Sequence, residues 1–440
     1  MSQPTTTKRR SLARFVHADK VAATSTAVAT FGLAMLVLRH GLAFGPDAWT
    51  YWSASVSLLE GRGYVDAHGL AVQHWPPLYS LWLAAVQSLC GVSVASVRLA
   101  DALCAAAFAG LSCAWLLRRT ACVDGARWPV ALFATNGALL ALRGGSSEYL
   151  MLALLGVLLL AIEAWRRTPA GARGASAVAT ASVAAAAMVG VRHAALAFVP
   201  AAGVMIVCAR TASWRDRAVA ASCIAVAAAV SWWGTHLALA QQGSFPLGSS
   251  DRELWATVWA MAKGIDRELA PFPLGIGLCI AIAAVLALIP LRVRTAKALG
   301  TTEVSLRHGD VTAFVLTALA ALLAMFLLVQ VADSPGGRFV RFASLMLGGL
   351  AVGIVRGLPG PRRRCALLLL LLLPNTVHAA KVTILGRSGR NTVSADGGEA
   401  WLPMNATLCT GVEPGTVLPD GRIVVAVPVF VWQQQRLDAG

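Results

Sequence analysis

Residues 21–38 read VAATSTAVATFGLAMLVL, a stretch without Asp, Glu, Lys or Arg. At 1.5 Å per residue it makes a helix about 27 Å long, close to the thickness of a bilayer's hydrocarbon core. The pattern recurs along the chain. Residues 218–250 and 311–332 also lack all four charged residue types. Composition agrees with these runs. Of 440 residues, 57% are hydrophobic and 13% charged, and the mean hydropathy is +0.67. Soluble domains carry about 25% charged residues, and this chain cannot cover a globule of its size with a charged skin. A cytosolic enzyme, a secreted disulfide scaffold and a disordered chain are excluded. The expected fold is an all-α polytopic membrane bundle.

The net charge is +16, from 37 basic and 21 acidic residues. In a soluble protein such an excess suggests nucleic acid. Here the basic residues sit in short loops between apolar runs, where the positive-inside rule puts them, so no nucleic-acid partner is expected. Nine cysteines are scattered with no CxxC pair and read as small core residues. Lys8, Arg9 and Arg10 before the first run resemble a signal peptide, but no cleavage pattern leads into a soluble domain, so the run reads as a retained first span.

The arginines order the spans. Clusters at Lys8–Lys20, Arg118/Arg119/Arg127, Arg166/Arg167/Arg173, Arg210/Arg215/Arg217, Arg292–Arg307 and Arg356–Arg364 belong on the cytoplasmic side. The gaps between them, roughly 43–96, 143–148, 192–193, 241–271 and 333–338, then lie outside. This assignment predicts about eleven spans, with the N-terminus cytoplasmic and the C-terminus exported from an inner-type membrane. It requires Pro77–Val94 to lie in the outer interface instead of spanning, with Pro76-Pro77 and Gly91 setting the ends of a short helix. Runs 128–142, 149–162 and 342–355 are short for spans. The expected organisation is a cytoplasmic segment 1–20, a membrane domain 21–380 with a long outer loop 43–96, and a small exported region 381–440. That last region holds the strand-like run Ile423–Val431.

The outer loop is too long and aromatic for a connector: GPDAWTYWSASVSLLEGRGYVDAHGLAVQHWPPLYSLW from Gly45 to Trp82. Trp49, Trp52, Val56 and Leu59 recur at helical spacing and predict an amphipathic interfacial helix. Asp47 sits where the chain leaves the membrane. It is either the cap of that helix or a carboxylate facing a membrane-level cavity, available as a general base. Glu60 and Asp66 read as solvated turn residues. His74 is a phosphate contact or an interfacial side chain.

These residues resemble a family. Asp47 after the first span, Tyr51 and Ala54, Leu59-x-Gly61-x-Gly63-Tyr64, Pro76–Tyr79 and Gly91 look like the GT-C superfamily of integral-membrane glycosyltransferases, of the protein O-mannosyltransferase and aminoarabinose-transferase type. Ser146-Ser147-Glu148, Val191-Arg192-His193 and Arg338–Phe342 extend the resemblance over about residues 20–360. It implies a GT-C-like bundle that moves a sugar from a polyprenyl-phosphate-linked donor to a lipid, glycan or protein acceptor on the exported face. It also implies inversion at the anomeric carbon and Asp47 as base. The chain departs from the pattern in places. Ala48 stands where many members have a second acidic residue, Trp75 where aminoarabinose transferases have Lys, and Phe342 where Tyr is usual.

A lipid phosphate leaving group carries negative charge, for which the arginine fork is the suitable partner. Arg338 and Arg341 break the positive-inside pattern and are expected to bind phosphate with His74, Arg192 and His193. The alternative for Arg192-His193 is the charged turn of a helical hairpin. Glu148 either orients the acceptor or simply suits a helix N-terminus. Arg98 and Asp101, three apart, are expected to pair. No HxxxH or HExxH spacing occurs and no cofactor is firmly expected; a divalent cation between Asp47 and Glu148 is left open. A transporter or flippase should show broken helices and a repeat between halves, and the sequence has no such repeat. A non-catalytic assembly protein on the same fold is the other alternative.

Overall fold

The computed structural model describes residues 6–39, 42–44, 46–72, 75–119, 131, 146–168, 174–209 and 212–240, with three short strands between 400 and 424. The expected spans 311–332 and 342–355, and 128–142 apart from Ala131, lie outside these residues. The helices are α1 (Thr6–Val37), α2 (Pro46–Leu59), α3 (Leu78–Cys90), α4 (Val94–Arg119), α5 (Ser147–Arg167), α6 (Ala175–Val191), α7 (Phe198–Val207) and α8 (Trp214–Ala240). A short 3-10 helix, His193–Ala197, joins α6 to α7. Among the described residues, four helices are long and apolar enough to cross a membrane: Ala18–Val37, Val94–Arg118, Ser147–Arg167 and Trp214–Thr235. The chain is a multi-span membrane protein.

The helices pack in a row, α1 on α4, α4 on α5, α5 on α6 and α6 on α8, with α2 and α3 set against one end. Small residues permit this. A Cβ at Gly110 of α4 would stand 2.9 Å from the Ala27 Cβ of α1, and one at Gly156 of α5 would stand 2.7 Å from the Leu111 Cβ. Between apolar helices in lipid, such close backbone approach is a main source of packing energy. Thr26 donates to the Ala22 carbonyl at 2.7 Å and Thr30 to the Thr26 carbonyl at 2.7 Å, so their hydroxyls are satisfied within α1. The outer faces of α1 and α8 leave Val28, Leu33, Val219, Val226 and Trp233 exposed, as a lipid solvent favours.

Contacts fix the relative directions. Arg98, at the start of α4, donates to the Met35 carbonyl near the end of α1, while Gly110 meets Ala23 and Ala27. So α4 runs antiparallel to α1 and carries Arg118 back to the level of Lys20. Arg167, at the end of α5, donates to the Arg118 carbonyl. The start of α5, Ser147-Glu148, is therefore some 30 Å away at the opposite end of the bundle. That arrangement is the one the arginine clusters predicted for Arg118 and Glu148.

Helix α3 is 13 residues, about 20 Å, which is too short to span and agrees with the interfacial reading of Pro77–Val94. It ends where Gly91 takes φ 81°, a conformation that favours glycine. Three expectations need correction. The run 149–162 is part of a 21-residue helix, because Ser147-Glu148 and Arg166-Arg167 lie inside it. Helix α2 is not amphipathic on a surface. Its polar side is buried as fully as its aromatic side, with Thr50, Ser53, Ser55 and Ser57 all covered. Two of those hydroxyls turn back on the helix, Ser53 donating to the Thr50 carbonyl at 3.2 Å and Ser55 to the Trp52 carbonyl at 2.6 Å, so they need no water. Asp66 is buried rather than solvated. Its Oδ1 accepts from the His68 and Leu70 amides at 2.9 and 3.0 Å and organises the turn that follows α2. Glu60 does lie at the surface, beside Arg62.

Strand β1 (Leu42–Phe44), directly before α2, pairs antiparallel with β2 (Ala400–Leu402). A second small pairing joins β3 (Ala406–Thr407) to β4 (Ile423–Val424) in parallel. The C-terminal region thus reaches the strand that leads into the outer loop.

Candidate active site

Three helix ends meet on the face opposite Arg118. Pro46 opens α2, and Asp47 is its second residue. Ser147 opens α5, and Glu148 is its second residue. Arg192 closes α6, its backbone extended at φ −160° and ψ 127°. Each charge suits its place, since helix N-termini favour carboxylates and C-termini favour cations. Asp47 lies within the first turn, not at the cap position that the alternative reading gave it.

The side chains converge on the guanidinium. Arg192 Nη1 is 3.0 Å from Glu148 Oε1 and 3.9 Å from Asp47 Oδ2. It also donates to Ser147 Oγ at 3.1 Å. The Trp75 ring lies with its centroid 6.0 Å from the guanidinium carbon, within cation–π range. Exposure differs among the three charges: 22% for the Asp47 side chain, 11% for Arg192 and 4% for Glu148. Asp47 is thus the carboxylate that an incoming group can reach. Burial by itself lowers the Arg192 pKa, but Glu148, Tyr51 and Asp47 more than reverse it, so the net shift is upward and the side chain stays charged.

Tyr51 belongs to this cluster. It lies four residues after Asp47, on the same face of α2. Its ring meets Tyr79 edge-on at 5.0 Å and Trp75 at 6.0 Å. Burial pushes its hydroxyl above the ordinary range, and the Arg192 charge opposes this. The phenol therefore stays protonated and can donate. Behind it, Tyr79 donates to Asp101 Oδ1 of α4 at 2.7 Å. Asp101 thus anchors the tyrosine pair, while Arg98 holds the end of α1. Tyr64 donates to the Trp75 carbonyl at 2.9 Å and closes the loop beneath the site. Gly61 and Gly63, at φ 72° and 86°, make the turn that brings Tyr64 there.

Of the residues singled out in the sequence, Asp47, Glu148 and Arg192 come together, and His193 follows Arg192 in the chain as a part-buried residue. His74, Arg338 and Arg341 lie outside the described residues. Arg192 does lie in the turn between α6 and the 3-10 helix, and its guanidinium is within ion-pair distance of two carboxylates. Tyr51, Ser147 and Trp75 were quoted only as pattern residues. The four-residue spacing from Asp47 was the available signal for Tyr51.

Two converging carboxylates invite a divalent cation. Among the described residues the donor set does not fit one, because a permanently charged guanidinium stands within ion-pair distance of both. Among the described residues, no group of three or more His, Cys, Asp or Glu could hold a metal.

No protein-family model matches the sequence, and no curated protein sequence matches it. Similar solved structures exist. One is the archaeal oligosaccharyltransferase AglB from Archaeoglobus fulgidus, in complex with an inhibitory peptide and a dolichol-phosphate. Identity is 14%, the match covers 83% of this chain and 56% of that one, and the TM-score is 0.43. The oligosaccharyltransferase of the same organism, in complex with zinc and sulfate, gives 15% identity, 81% and 53% coverage and a TM-score of 0.44. Its apo form gives 13% identity, 82% and 56% coverage and a TM-score of 0.43. The chain spans about half the length of these proteins.

Proposed function

We propose that this chain is a membrane glycosyltransferase that takes a sugar from a polyprenyl-phosphate-linked donor and places it on an acceptor at the exported face. One observation carries the reading. Asp47, Glu148 and Arg192 are distant in sequence, yet meet as a buried charge cluster at one end of an apolar bundle. Charges at such depth are costly and are retained for function by default.

The roles follow from exposure and chemistry. The acceptor hydroxyl must lose its proton as its oxygen attacks the anomeric carbon. Asp47, the accessible carboxylate, takes that proton. Glu148, buried against Arg192, is a positioning residue. The lipid phosphate departs with its negative charge near Arg192, whose permanent positive charge stabilises it. A single displacement inverts the anomeric centre. Arg338, Arg341, His74 and His193 are proposed as further phosphate contacts. Eleven spans with the termini on opposite sides are part of this proposal, and the pairing of β1 with β2, which brings residues 400–402 beside 42–44, supports an exported C-terminal region.

Purified protein in nanodiscs, given radiolabelled polyprenyl-phosphate sugars and candidate lipid, glycan and peptide acceptors, tests the proposal. Label moving to an acceptor, with inverted configuration, is the expected result. Donors bound and released unchanged across the panel, or carried across a sealed vesicle, would replace it with the transporter reading.

A further inference from the structure

We infer that Arg192 is the built-in cation of this site, holding Asp47 and Glu148 in place of a divalent metal, so that the pair becomes a metal site only when Arg192 is removed. The inference rests on the proposed reading for its catalytic consequence, but not for its binding test. Two carboxylates from separate helices, α2 and α5, converge on one small volume. Like charges that close repel, and the arrangement needs a positive charge between them. In this chain one guanidinium nitrogen supplies it, reaching Glu148 at 3.0 Å, Asp47 at 3.9 Å and Ser147 Oγ at 3.1 Å. A metal ion would have to displace a charge that cannot be neutralised by deprotonation. The arginine is held from behind as well, by the end of α6 and by the Trp75 ring.

The consequence is specific. Arginine leaves the cluster organised in any ionic environment, whereas a metal-held pair would organise only when the ion binds. Truncating Arg192 leaves two carboxylates and the Ser147 hydroxyl facing each other, with room where the guanidinium was. Oxygen donors of this kind, completed by waters, suit Mn²⁺ or Mg²⁺.

The test is Mn²⁺ binding followed by electron paramagnetic resonance on the full-length protein in detergent. Wild type and Asp47→Asn should show the same Mn²⁺ isotherm, meaning no ion held by Asp47. Arg192→Ala should gain a Mn²⁺ site that the Arg192→Ala/Asp47→Asn double variant lacks. Arg192→Lys, which keeps the charge, should gain none. In the transfer assay, EDTA should leave the wild-type rate unchanged. Arg192→Ala should lose at least about tenfold, the order expected for one charge-assisted contact, and Mn²⁺ should restore part of it. An Asp47-dependent Mn²⁺ site in wild type overturns the inference, and so does a folded Arg192→Ala that gains none. Should the truncated variant fail to fold, the wild-type and Asp47→Asn isotherms still decide. Should no transfer be found with any donor, the functional proposal falls while the Mn²⁺ result stands.

Discussion

Helix α5 carries an arginine–glutamate pair at each end, and the two are built differently. At the Arg118 end, Glu163 and Arg167 sit one turn apart on the same helix, 2.7 Å from each other, with the glutamate buried but the arginine 51% exposed. At the other end, a buried Glu148 is met at 3.0 Å by an arginine from a different helix that is only 11% exposed. The first pair is what any span end can afford, a local contact whose cation reaches toward water. The second requires two helices, a loop tryptophan and a second carboxylate to be held in register. A buried pair of that kind is weak evidence for stability, because desolvation offsets much of the attraction. Its presence points to a function at the Glu148 end and to anchoring at the Arg167 end.

The largest effect that separates the two ends is all-or-none. In a background without other reactive cysteines, His68→Cys beside the outer loop and Ser176→Cys at the start of α6 should react with a membrane-impermeant maleimide from opposite sides. Labelling of both from the same side would break the assignment of the two faces. Next comes stability. Glu148→Gln takes the nearer carboxylate from Arg192, and should cost roughly 3 kcal/mol in a detergent unfolding titration, the low end for breaking a buried pair. Smallest is Glu163→Gln, expected to cost about 1 kcal/mol, because a neutral amide stays in the buried carboxylate's place while Arg167, half exposed, remains solvated. Equal costs at the two ends would erase the distinction.

Much of the scaffold was readable from charge-free runs and arginine spacing. The run 21–38 falls almost wholly in α1, the described part of the run 218–250, up to Ala240, makes most of α8, and Gly91 marked the end of α3 through its positive φ. Asp47, Glu148 and Arg192 could each be picked out as a charge at a span end. Their meeting could not be read, because it depends on how α2, α5 and α6 pack, and sequence spacing is silent on contacts that distant. The burial of α2 was misread for a related reason. Serines look like a wet face until their hydroxyls are seen to bond to their own helix. The pairing of β1 with β2 joins segments more than 350 residues apart, and three-residue strands carry too little pattern to announce it.

The central claim is that the charge cluster performs transfer with Asp47 as the base, and Asp47→Asn tests it most directly. Asparagine keeps the size and hydrogen-bonding capacity of the side chain but cannot take up a proton usefully near neutral pH. Loss of the charge from the first turn of α2 should cost no more than about 1 kcal/mol. The account predicts a normally inserted, normally abundant protein whose transfer rate falls by at least about 10²-fold, with Asp47→Glu recovering little because the longer side chain misplaces the carboxylate. An Asp47→Asn protein that transfers sugar at near the wild-type rate would contradict it.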